Sequence, residues 1–337
     1  MAQLVSVPTT NEQVQMTELK SFLYEICIPI IVFLCALAAL LNIAVFLSRW
    51  HVKSRSTSLE LTYSLALSDT WTSLVVAFSL FWNSYKPVVL NLSHTNYCFP
   101  LTMEAFRTGG LLTGIFHLVA LAFVHYIQIS RPFDHQKLLP LRLVQLIIIL
   151  IWTVPPVGLI VYFWSWEDQG YRVKDCTRGS FYFNLPFRLT ISLIIIVMIL
   201  TTSILYQRML ATVSEVRSKT ASATNARGRR TVITAALIFG TFLIGWMPAS
   251  ILFILTAEGM PLYQKSGAMI HVISIVVLLT IMIKTLTNPI IYATRIPEIR
   301  HFVLHKLLWK IFPVKEEQRQ KSETMPLRQS TLTRSAY

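Results

Sequence analysis

Side chains able to carry a proton or a charge interrupt stretches of this chain that otherwise avoid water, among them Asp69, His117, His125, His271 and Lys284. An ionisable group in such a setting is expensive, and it marks an ion path, a proton relay, a counter-ion or a switch. Catalysis there would need paired carboxylates, a histidine cluster, or a nucleophile beside a base. Asp69 stands alone; His117 and His125 share one apolar run but sit at different depths in it, and His271 falls in another run. No catalytic constellation results, so neither an enzyme nor a bound cofactor or metal is expected. The four cysteines (Cys27, Cys35, Cys98 and Cys176) are too few for a metal cluster or a disulfide scaffold. Lys284 precedes Asn288 by one helical turn and shares its face. Two fates stay open for its ammonium: a pairing with Asp69, or a path to water by snorkelling or a wet cavity.

The elements that must hold these groups are membrane helices. Of 337 residues, 54% are hydrophobic and 14% charged, against about 25% charged in a soluble domain. A net charge of +14 would suit nucleic acid only on a soluble basic face. Here the cations lie in short segments between apolar runs, so lipid is the expected surrounding and nucleic acid is not a partner. A helix crosses the hydrocarbon core in about 20 apolar residues. Seven segments meet that length: Ile26–Leu47, Leu61–Phe81, Thr108–Ile129, Leu143–Phe163, Leu185–Tyr206, Val232–Thr256 and Ala268–Tyr292. The predicted fold is an all-α membrane bundle of seven transmembrane helices.

Charge in the connections sets the orientation. Most of the 30 lysines and arginines lie in the first, third and fifth connections and the C-terminal tail, from Arg49, Lys53 and Arg55 to Arg328 and Arg334. By the positive-inside rule these parts face the cytosol and the N-terminus lies outside. Asn91-Leu92-Ser93, a glycosylation acceptor, then falls outside. So do Cys98 and Cys176, where a disulfide can persist. No cleavable signal peptide is read at the N-terminus. Beyond the last span, Pro297 suits the first turn of a new helix. Ile299, Phe302, Val303, Leu307 and Ile311 recur at helical spacing among basic residues, which predicts an amphipathic helix on the inner leaflet. From Glu316 the chain is polar and aperiodic, and disorder is expected, with Ser322, Thr324, Ser330, Thr331, Thr333 and Ser335 as phosphorylation candidates. The expected divisions are residues 1–25 outside, 26–292 the bundle, 293–312 the surface helix and 313–337 the cytoplasmic tail.

Further polar and proline residues recur in a fixed order. Asn42 stands in Leu-Asn-Ile-Ala-Val, and Leu65-Ala66-Leu67-Ser68-Asp69 follows in the second run. Trp152 precedes Pro155 and Pro156 in the fourth. The sixth holds Phe242-Leu243-Ile244-Gly245-Trp246-Met247-Pro248, and the seventh closes on Asn288-Pro289-Ile290-Ile291-Tyr292. In that order and at those depths they resemble the rhodopsin-like (class A) G-protein-coupled receptors: the helix-one asparagine, LAxxD, the helix-four tryptophan, FxxCWxP with glycine for cysteine, and NPxxY. The resemblance runs from the first helix to the tail helix and is that of a divergent member, weakly similar to peptide receptors. It implies a Cys98–Cys176 disulfide, an extracellular ligand, a heterotrimeric G protein, arrestin recruited by a phosphorylated tail, and residence in the plasma membrane. It also implies a switch. Pro248 bends the sixth helix, with Trp246 at the pocket floor and Ile115 and Phe242 completing a transmission core. Pro289 kinks the seventh helix beside Tyr292.

The departures are as informative. The family's DRY triplet falls on Val124-His125-Tyr126, and Gly228 stands where relatives carry an acid, so both halves of the usual ion pair are missing. The cytoplasmic face is expected to present His125, Tyr126, Arg229 and Arg230 to a G protein. Met198 replaces the helix-five proline, and Lys284 stands where the family gathers Asp69 and Asn288 around sodium. The retinal lysine of opsins would fall at Met282, off the Lys284 face. The aspartate that pairs with monoamines is Arg107 here, which disfavours an amine. Arg107 and Arg188 instead favour a carboxylate or amide acceptor, with Glu104 and Trp246 completing the expected ligand site. A structural pair between Arg107 and Glu104 is the alternative. Alternation from Tyr171 to Phe183 predicts a β-hairpin in the outer loop, a form common among peptide receptors, and a neuropeptide is the expected ligand. Two rivals follow: a receptor-like decoy or partner subunit that does not couple, and a transporter, for which no internal repeat is found.

Overall fold

A computed structural model describes residues 10–52, 56–92, 96–219, 224–263 and 268–303. Seven of its helices are long and apolar enough to cross a membrane. They are α1 (Thr10–Leu47), α2 (Thr57–Leu80), α3 (Cys98–Ser130), α4 (Leu141–Ser165), α5 (Leu185–Lys219), α6 (Thr224–Leu255) and α7 (Ala268–Arg295). A short α8 (Pro297–Phe302) follows, opened by Pro297 in its first turn. Among the described residues no strand forms. Only Ile299 and Phe302 of the expected amphipathic stripe, both buried, and Val303, half-buried, can be placed. Leu307, Ile311 and the tail serines and threonines lie outside the described residues.

The distribution of side chains is inverted relative to a water-soluble protein. Asn42, Asp69, Ser73, His117, Lys284 and Asn288 are buried, while Leu146, Ile149, Leu150, Val154, Val157 and Val161 of α4 are exposed. Such a surface is stable only against hydrocarbon, where every backbone group must be paired within its own helix. The chain is a multi-pass membrane protein. In the bundle α1 packs on α2 and α7, α3 on α2, α4 and α5, and α6 on α5 and α7. Small residues set the closest approaches. A Cβ at Gly109 would lie 2.8 Å from Pro156 Cα, so any larger residue would push α3 and α4 apart.

Two expectations are corrected. The third span was read from Thr108 because Arg107 ended the apolar run. The helix begins at Cys98, since Glu104 neutralises Arg107 one turn away and a helix needs no apolar side chains to satisfy its own backbone. The expected β-hairpin is three tight turns instead, at Gly170–Arg172, Lys174–Cys176 and Ser180–Phe183. Asp175 and Cys176 adopt left-handed φ of 58° and 50°, which breaks an extended strand, and Phe181 is buried against Phe163 rather than alternating outward. Fifth and sixth helices both run past their apolar cores, to Lys219 and from Thr224.

Candidate functional site

The centre of the bundle carries one polar knot. Asp69 on α2 meets two donors from α7: Asn288 Nδ2 at 2.8 Å from Oδ2, and Lys284 Nζ at 3.3 Å from Oδ1. The single turn between Lys284 and Asn288 aims both at the same carboxylate. Lys284 is buried and points inward, so it does not snorkel. Room for its stem comes from α6. A Cβ at Gly245 would sit 3.1 Å from Lys284 Cβ, inside ordinary contact distance. Glycine at position 245 of α6 therefore makes the room that the Lys284 stem occupies.

A second network lies across α2, α3 and α4. His117 Nδ1 faces the Thr113 carbonyl at 2.8 Å and must donate to it. Nε2 then accepts from the Ser64 hydroxyl at 2.8 Å, and Ser64 in turn accepts from Trp152 Nε1 at 2.9 Å. Every atom is satisfied with a neutral ring. The helix-four tryptophan and His117 thus serve to lock three helices, a role that sequence reading missed because their partner is a serine with no signal of its own.

Pro289 is coupled to the first helix. Lacking an N–H, it leaves the Thr285 carbonyl without its usual helical donor. Asn42 Nδ2 on α1 donates to that carbonyl at 3.2 Å, and to Ala38 O at 2.9 Å. Ile115, Phe242 and Trp246 belong to one buried cluster, with Met198 packed against it. Tyr292 is fully buried and its hydroxyl has no hydrogen-bond partner among the described residues.

Toward the disulfide end the helices part around a cavity of about 390 Å³, floored by Trp246. Its walls are mainly aliphatic, among them Ile28, Leu112, Ile191, Ile275 and Met282. Arg107 and Arg188 both reach it, and no aspartate or glutamate is among the described residues that line it. Arg107 is held by Glu104, which also accepts from the Tyr182 hydroxyl at 2.6 Å. Burial, then the Glu104 carboxylate, pushes the Tyr182 phenol well above its ordinary value and keeps it a donor. Nothing local in the sequence announced Tyr182, which comes from a distant loop. Glu104 itself does not line the cavity. Arg188 donates Nε to Tyr182 O at 3.0 Å, and Nη1 to Phe253 O at 3.2 Å and to the Thr256 hydroxyl. Its guanidinium carbon lies 4.7 Å and 4.6 Å from the rings of Phe183 and Phe253.

The Cys98–Cys176 disulfide is formed and ties α3 to the loop over the cavity. Tyr97 N adds a hydrogen bond to Asp175 O at 2.8 Å. At the opposite end His125 is half-buried, and its Nδ1 has no hydrogen-bond partner among the described residues. Tyr126 packs against the cluster of Ala122, Tyr206 and Met209. Arg229 and Arg230 lie on the α6 backbone, but their side chains fall outside the described residues. Asn91 is exposed with a left-handed φ of 55°, and Ser93 of its motif lies outside the described residues.

Compared with individual curated proteins, the chain matches none. A family model described as 7 transmembrane receptor (rhodopsin family) matches residues 38–292, well over half of the chain.

Proposed function

The chain belongs to the rhodopsin family of seven-transmembrane receptors, and from that membership we propose that it senses an extracellular ligand in the Trp246 cavity and relays the signal to a heterotrimeric G protein. The observation that carries this reading is the position of Trp246, which is both the cavity floor and part of the buried cluster with Phe242 and Ile115. A ligand that moves the indole changes the packing two residues from Pro248, where α6 has lost a backbone bond and bends most easily.

In this reading the disulfide end faces outward at the plasma membrane. Residues 1–25 and glycosylated Asn91 lie outside, 26–292 form the bundle, 293–312 lie on the inner leaflet, and 313–337 form a cytoplasmic tail that recruits arrestin when phosphorylated. The ligand is a peptide rather than a biogenic amine: an ammonium would meet the Arg188 guanidinium and no acid among the described lining residues. Screening a library of secreted peptides on intact cells, read by second messenger and by arrestin recruitment, tests this. At least one agonist is expected, with its response lost in Trp246→Ala at unchanged surface expression. Agonists indifferent to Trp246 would show that the signal enters elsewhere.

A second reading is favoured by His125. Where relatives carry an arginine, this side chain has an Nδ1 without a partner among the described residues. A receptor-like decoy or partner subunit that binds ligand without coupling is consistent with that.

A further inference from the structure

Three of the five N–H donors of the Arg188 guanidinium are consumed by the Tyr182 and Phe253 carbonyls and the Thr256 hydroxyl. The two on Nη2 have no acceptor among the described residues, in a buried side chain that lines the cavity. All three acceptors are neutral, and the aromatic rings around the group are too. Arg107, by contrast, is already neutralised by Glu104. The cavity therefore carries one uncompensated positive charge, set in an aliphatic lining without a carboxylate. A buried cation held this way is costly, and an entering anion relieves that cost with a pair of charge-assisted hydrogen bonds.

We propose that the cavity takes a molecule with a single carboxylate on an apolar body, its carboxylate received by Arg188 Nη2 and its body lying along Leu112, Ile191, Ile195 and Met282. The proposal rests on the receptor reading above and narrows its ligand. A volume of about 390 Å³ sits near the low end of the roughly 300–1,000 Å³ of small-molecule sites. It admits a short chain end and not a folded partner. Two sources supply this chemistry: the free C-terminus of a peptide ending in apolar residues, and a free alkyl or aryl carboxylic acid. Two arms are needed to tell them apart.

The full-length protein in nanodiscs is titrated with 8-phenyloctanoate and with the matched alcohol, amide and amine, and separately with the tripeptide Leu-Leu-Phe as free acid and as C-terminal amide. Calorimetry is expected to show at least one free acid binding about tenfold or more tighter than its uncharged counterpart, and the amine weakest of all. The arm that shows this preference identifies the source. Acid preference is expected to vanish in Arg188→Gln and to survive Arg107→Gln. Because Arg188→Gln also loses bonds to α6, Ile191→Trp serves as a second variant that fills the cavity and leaves the arginine in place; it is expected to abolish binding of the acid. Equal binding of acid, alcohol and amine by the wild type would overturn the proposal without any variant, and so would an acid preference that persists in Arg188→Gln or in Ile191→Trp. Failure here is separable from failure of the receptor reading. An agonist without a carboxylate acting through Trp246 would sink only the ligand class, and carboxylate binding with no downstream response would sink only the relay.

Discussion

At Gly245 two effects of opposite sign meet. Replacing a mid-helix glycine by alanine ordinarily stabilises by about 0.5–1 kcal/mol, through backbone entropy. At this position the added methyl would lie 3.1 Å from Lys284 Cβ. That atom is the root of the lysine, not its flexible end, so it moves only if α7 moves. Gly245→Ala is therefore expected to lower the melting temperature in nanodiscs, while Gly240→Ala on the same helix, where nothing lies within 4 Å, raises it. Stabilisation by both would show that the Lys284 stem yields freely. The lysine itself answers to Asp69. Removing one member of a buried ion pair leaves an uncompensated charge and costs about 3–5 kcal/mol. Lys284→Met should thus be far more damaging alone than together with Asp69→Asn, and the wild-type melting temperature should be the same in sodium as in potassium, because an ammonium occupies the carboxylate. A melting temperature that rises specifically with sodium would place that ion, not Lys284, against Asp69.

The first and seventh helices of this bundle are joined through a defect that a proline makes. Pro289 leaves the Thr285 carbonyl without a donor from its own helix, and α1 supplies one through Asn42. An unpaired buried carbonyl costs about 1–3 kcal/mol, so Asn42→Leu is expected to destabilise by that order in urea or thermal unfolding. The loss should shrink in a Pro289→Ala background, where residue 289 regains an N–H and can bond the carbonyl itself. An undiminished loss there would mean that Asn42 matters for its Ala38 contact alone. This pair also marks what the sequence makes legible. Asn42, Asp69, Asn288 and the two prolines stand out because each is a costly residue at a fixed place in an apolar run, and the runs themselves follow from backbone satisfaction in lipid. Which donor meets which acceptor was hidden. Tyr182 reaches Glu104 from a loop, Ser64 joins His117 to Trp152, and Gly245 fits Lys284, all across helices whose relative rotation no local pattern records. The outer loop was misread because alternation alone cannot reveal the left-handed turn at Asp175 and Cys176.

In the proposed relay, signalling by the whole molecule depends on what restrains the end opposite the disulfide. There Ala122, Tyr206 and Met209 form a buried cluster against which Tyr126 of α3 and Phe239 of α6 pack, and in that relay this packing is the restraint. Packing of this kind is short-ranged and insensitive to salt, unlike an ion pair at a wet surface. Truncating Phe239 to alanine removes part of the restraint without touching the cavity, and it should raise ligand-free binding of a GTP analogue in membranes supplied with G protein. The same assay separates the two readings of His125. If the opened bundle alone suffices for coupling, wild type shows a basal signal, Phe239→Ala a larger one, and His125→Arg adds little to either. If an arginine is needed to engage the G protein, neither wild type nor Phe239→Ala exceeds background, and a signal emerges only once His125→Arg is introduced. The first pattern is the one expected, because Trp246 and Phe242 share one buried cluster and Phe239 packs against both it and the cluster of Ala122, Tyr206 and Met209; the second would assign the molecule to ligand capture rather than transduction.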